Sequence, residues 1–156
     1  GMFSHIMIGT NDPERAKVFY DAALGALGIR PGVVDRYRVF WRTPTGVFAV
    51  TKPINGEPAT WANGGTIGFD CKTTEEADAI KEWDKIIARA TGQEPEIQQL
   101  ARDEVEADAW HAAGLAAGGT ACEDPPGVRE GAAGKLYLAY LRDPDGNKVC
   151  ALHRMK

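Results

Sequence analysis

The chain lacks any run approaching the roughly 18 apolar residues a membrane helix needs, so it is not expected to span a bilayer. Positive charge is also short: 18 Lys and Arg stand against 22 Asp and Glu, and no basic cluster offsets the net charge of −4. Such a surface repels phosphate backbones, which removes nucleic acid from the expected partners. Cysteine is limited to Cys71, Cys122 and Cys150, an odd number with no C-x-x-C pair, and the first residues show no charged segment followed by an apolar run. These absences argue against a disulfide framework and a secretion signal, and the expected compartment is the reducing cytoplasm. No glycine-rich phosphate cradle or nucleophile elbow is present. Gly1 before Met2 reads as a remnant of tag removal and is set aside.

What remains is ordinary globular sequence: 156 residues, 44% hydrophobic and 26% charged, enough for one core. Residues 3–8 alternate as a short strand. Asp12 then caps, and Pro13 opens, an amphipathic helix in which Ala16, Phe19, Tyr20, Ala23, Leu24 and Leu27 share one face. Strands follow at about 36–43 and 46–52, joined by a turn at Pro44-Thr45-Gly46. Breakers fill 53–65, which reads as a linker.

The order then repeats. A strand at 66–71 leads to the capping box Thr73-Thr74-Glu75-Glu76, helical sequence runs to Gly118-Gly119, and strands are expected at about 120–123, 135–142 and 147–153. The last two are joined by Asp143-Pro144-Asp145-Gly146-Asn147, a strong hairpin signal. The fold class is α+β, a single domain with module one at 3–52, the linker, and module two at 66–153. EEADA at 75–79 and VEADAW at 105–110 read as one helix opening written twice, which marks roughly 80–109 as a helical insertion. With 11 acidic and 5 basic residues, 72–110 demands a solvated outer face.

The opening HIMIGTNDPERAKVFYDAALG at 5–25 and the close YLAYLRDPDGNKVCALH at 137–153 resemble the vicinal oxygen chelate superfamily, which includes glyoxalase I, bleomycin-resistance proteins and extradiol dioxygenases. The resemblance implies two βαβββ modules whose mixed sheets curl around a cleft, commonly in a homodimer. In enzymes of the family, His, Glu and Gln from the first and last strands of each module hold a divalent metal. Here those positions are His5, Ala49, Thr66 and Cys150, and only His5 matches. No cofactor is therefore expected, because alanine cannot ligate and cysteine is softer than the carboxylate it replaces.

Strand alternation gives two faces. Ile6, Ile8, Phe48, Val50, Ile67, Phe69, Cys71, Val149 and Ala151 form an apolar set suited to the core, while His5, Met7, Ala49, Thr51, Thr66, Gly68, Cys150 and Leu152 form a mixed set suited to a cleft. Pairing across the terminal hairpin sets Tyr140 beside Cys150. The candidate binding residues are His5, Thr66, Tyr140, Cys150 and Arg129, the last on a glycine-rich loop at 124–134 where it would receive an anionic group. Each has a duller reading: a structural imidazole, a strand threonine, a packed ring, an inert buried thiol, a solvated arginine. Trp41, Trp61 and Tyr140 offer stacking surfaces, and His111 and His153 read as exposed. Two functions stay open: a metal-dependent lyase, isomerase or dioxygenase, and a metal-free protein that binds a small molecule.

Overall fold

The computed structural model describes residues 1–71, 102–132 and 134–155. In the first module β1 (His5–Gly9) is followed by α1 (Pro13–Gly25), β2 (Val33–Asp35), β3 (Arg38–Thr43) and β4 (Gly46–Thr51). The Asp12 side chain accepts from the Arg15 amide at 3.1 Å, so the cap and the first-turn proline expected from sequence start α1. Its buried face is Ala16, Phe19, Tyr20, Ala23 and Leu24.

The second module has β5 (Ile67–Asp70), α2 (Arg102–Ala116), β6 (Thr120–Ala121), β7 (Gly127–Gly131), β8 (Gly134–Arg142) and β9 (Lys148–Arg154). The sheets run β1-β4-β3-β2 and β5-β9-β8, with β6 and β7 both on the far side of β8. In each, the first strand lies parallel to the last and the others are antiparallel, as a βαβββ unit requires. The fold is therefore α+β with two open mixed sheets.

Two strands depart from expectation. Residues 33–35 form β2, turned into β3 by Arg36 at φ 57°, and the expected loop 124–134 contains β7. Both are edge strands whose hydrogen bonds come from a longer neighbour, β3 or β8, so their own residues could not announce them.

One core joins the modules. Helix α1 packs on β3 and β4, α2 on β8 and β9, and the helices on each other. Gly114 permits that approach: a Cβ there would stand 2.3 Å from Leu141 Cδ1 and 3.1 Å from Phe19 Cε2. Tyr20, Trp41, Phe48 and Phe69 form a chain of ring contacts with centroids 4.7 to 5.6 Å apart. Most of the expected insertion 80–109, and the capping box at 73–76, lie outside the described residues. Its final stretch, 102–109, belongs to α2, where Ala107 is fully buried and Asp108 accepts from the Tyr137 hydroxyl at 2.8 Å.

The DPDGN turn ties the modules. Asp143 Oδ1 accepts from the amides of Asp145 and Asn147, each at 2.9 Å, and Oδ2 accepts from the Tyr20 hydroxyl at 2.7 Å and from Asn147 Nδ2 at 3.0 Å. Asp145 in turn accepts from the Thr10 hydroxyl and the Asn11 amide at the end of β1. The linker is pinned at the same corner, since Asn11 and the Ala59 backbone exchange two hydrogen bonds.

Candidate functional site

Strand pairing sorts the site residues into rows. On the first sheet, Met7, Ala49 and Phe40 lie side by side, with His5, Val47 and Arg42 in the next row of the same face. On the second sheet the equivalent row is Gly68, Cys150 and Tyr140, followed by Lys148 and Arg142. The expected contact of Tyr140 with Cys150 is present. Gly68 sits against the thiol, because a Cβ at that position would lie 3.2 Å from Cys150 Sγ.

Cys150 is 4% exposed, and burial pushes its thiol up to about 11, so it is neutral around pH 7. Burial also raises Tyr140. Cys122, one residue beyond β6 and next in line opposite Tyr140, is raised by the same cause although Arg142 and Lys148 pull it down. The Lys148 ammonium lies 4.9 Å from the centre of the Tyr140 ring and pairs with Glu123, while Arg142 stacks 5.3 Å from the centre of the Trp61 ring and donates to the Gly146 carbonyl at 2.8 Å.

A cleft of about 880 Å³ reaches this row at Gly68, and its walls include His5 and Ile6 of β1, Gly68 and Asp70 of β5, and Leu27, Trp41 and Phe48. That volume is within the range of small-molecule sites. His5, exposed and hydrogen-bonded to Ser4 at 2.8 Å, thus shares a cleft with Gly68, whereas Thr66 stands exposed just ahead of β5. Arg129 lies at the far edge of the sheet, its guanidinium folded onto the Pro125 carbonyl at 2.8 Å and the Val128 carbonyl at 3.4 Å.

Three expectations change. Trp41 is 1% exposed and belongs to the core, so it offers no stacking surface. His153 is 8% exposed rather than open to solvent, since it occupies the core-side row of β9 with Val149 and Ala151 and pairs with Tyr137. His111 is half-buried, which lowers its pKa. Sequence reasoning passed over Lys148, Arg142 and Cys122, although the first two stand two residues from Cys150 and Tyr140 and therefore share their face.

Among the described residues no three His, Cys, Asp or Glu side chains converge as a metal centre would require. None of the three cysteines forms a disulfide, and among the described residues no helix is long and apolar enough to cross a membrane.

The model of the Glyoxalase/Bleomycin resistance protein/Dioxygenase superfamily matches residues 2–151. Among solved structures, a glyoxalase/bleomycin resistance protein from Albidiferax ferrireducens is 52% identical, with a TM-score of 0.77 over 99% of this chain and 100% of the other. A glyoxalase-related enzyme from Fulvimarina pelagi is 16% identical, with a TM-score of 0.61 over 98% of this chain and 88% of its own. A lactoylglutathione lyase from Agrobacterium tumefaciens is 18% identical, with a TM-score of 0.53 over 97% of this chain and 92% of its own, a likeness of fold alone. No curated protein matches the chain.

Proposed function

Because the chain belongs to the glyoxalase/bleomycin resistance/dioxygenase superfamily, we propose that it binds a small organic molecule, without a divalent metal, in the cleft between β1 and β5 and over the row Gly68–Cys150–Tyr140. The observation that carries this reading is the donor set on that face. The family resemblance implies a metal, and these residues do not fit one. Ala49 presents a methyl group, Thr66 a neutral hydroxyl, and Cys150 a thiol that burial keeps protonated, whereas the metal-binding form of cysteine is the thiolate. His5 alone is too few ligands for a zinc, nickel or iron centre.

The cleft has what a ligand needs instead. Gly68 contributes no side chain, Phe48, Ile67 and Phe69 supply apolar walls, and the mouth opens beside the polar groups of His5 and Asp70, while Tyr140 and Cys150 extend the row of Gly68 away from the cleft. A homodimer and a cytoplasmic location are parts of the same proposal that rest on the family and on composition.

Equilibrium dialysis against zinc, nickel, iron and manganese tests the metal half, and stoichiometric uptake that disappears in His5→Ala would overturn it. Screening small aromatic and carboxylic compounds by thermal shift tests the other half. Stabilising compounds are expected to lose their effect in Gly68→Trp, and compounds equally effective on that variant would refute the site.

A further inference from the structure

The second sheet presents cations in a chain that is acidic overall. Around the Tyr140–Cys150–Cys122 cluster, the charged groups that act among the described residues are Lys148, Arg142 and Arg129, with Glu123 as the opposing carboxylate. Three positive charges against one thus act on this cluster, while the protein as a whole carries −4. Lys148 and Arg142 are paired in register across β8 and β9, in the row next to Cys150 and Tyr140, so their strand positions stand roughly 7 Å from those of Cys150 and Tyr140. Each cation lies against a ring, Lys148 on Tyr140 and Arg142 on Trp61, and Trp61 is 46% exposed with Gly146 beneath it.

We infer that the ligand of this site is an organic anion, its acid group held between Lys148 and Arg142 and its apolar body lying over Tyr140, Cys150 and Gly68 toward the cleft. This rests on the reading above and adds the chemical class. The half-buried row strengthens the attraction between a carboxylate or phosphonate and the two cations, because partly dry surroundings screen charge less than water does. Arg142 has one nitrogen committed to Gly146 and keeps the remaining donors of its fork. Lys148 is held by Glu123, so an incoming acid competes with that carboxylate for the ammonium. Glu123 is thereby a specificity device: it favours ligands whose acid group outbids a side-chain carboxylate, and it weakens binding of every anion by its own charge.

The test uses benzoate, phenylphosphonate and neutral benzamide as probes in isothermal titration at low salt. Both anions are expected to bind more tightly than benzamide and to weaken as salt rises. Lys148→Gln should weaken the anions about tenfold, a change of about 1.4 kcal/mol, and leave benzamide unchanged. Glu123→Gln should tighten the anions severalfold, a gain that a merely structural role for Glu123 would not produce. Anions that bind no more tightly than benzamide, that fail to bind at millimolar concentration, or that are unaffected by Glu123→Gln overturn the inference. Gly68→Trp separates this from the underlying proposal. If benzamide and the anions bind equally and all are lost in Gly68→Trp, the site stands and only the ligand class is wrong; binding untouched by Gly68→Trp removes the site itself.

Discussion

The two sheets share one backbone plan and carry different chemistry on the same row. In the first, Met7, Ala49 and Phe40 present an apolar strip flanked by Arg42, which stacks 4.9 Å from the centre of the Phe40 ring. In the second, the matching Gly68, Cys150 and Tyr140 place a neutral thiol against a bare backbone and a phenol beside two cations. The turns differ as well: Pro44 and Thr45 are exposed, while Asp143 and Asn147 are buried and bonded to the other module. Duplication fixes where side chains can stand. What chemistry each module presents depends on residue choice at a few of those places.

The largest expected contrast is between the turns. Asp143→Ala strands the Tyr20 hydroxyl, the Asn147 amide groups and the Asp145 amide. It should cost about 3–5 kcal/mol in urea denaturation, the scale of a broken buried polar network. Thr45→Ala in the equivalent turn should stay within about 0.5 kcal/mol. Equal costs would show that the DPDGN turn does not tie the modules.

Next come the helices. Gly114→Ala drives a methyl group into Leu141 and Phe19 and should destabilise by about 1–3 kcal/mol. Gly25→Ala at the end of α1 meets open space and should be neutral or stabilising by about 0.4–1 kcal/mol. A thermal scan of both variants checks the pair, and a benign Gly114→Ala would mean that the helices do not meet there.

A smaller effect is expected at the start of β5. Thr66 is exposed, so Thr66→Trp should cost less than about 1 kcal/mol, below the usual cost of core overpacking. A loss of several kcal/mol would mean that the outer face is packed and the assignment of faces reversed.

The smallest effect lies in alkali. Because the folded protein holds the Cys150 proton more tightly than the unfolded chain does, the stability this group contributes is complete below the ordinary thiol value. That contribution is lost as pH rises through about 11. Cys150→Ala should flatten the alkaline limb of the stability profile, and iodoacetamide should label Cys150 slowly around pH 7. Fast labelling of Cys150 would show that the thiol is open and ionised, unlike the closed row described.

The local signals were legible. The Asp12-Pro13 start, the face of α1 and the DPDGN hairpin depend on neighbours within a few residues, and each was readable from them. Alternation also placed Tyr140 with Cys150 and could have placed His153, whose parity is that of Val149 and Ala151. It was read as exposed, whereas its place opposite Tyr137 in the core-side row buries it. Trp41 was misjudged for a related reason: its partner across the hairpin is Phe48, and burying that pair requires α1.

The sequence by itself determined the duplicated strand–helix–strands plan and the faces of the main strands, because periodicity and capping act over short range. Only the tertiary structure decided that β7 is a strand, that Arg129 folds onto its own loop, that His5 shares a cleft with Gly68, and that Lys148 and Arg142 gather at Tyr140 and Trp61. The physical reason is that these arrangements arise from pairing and packing between residues far apart in the chain, where partner, register and covering surface must all be known before a side chain's environment exists.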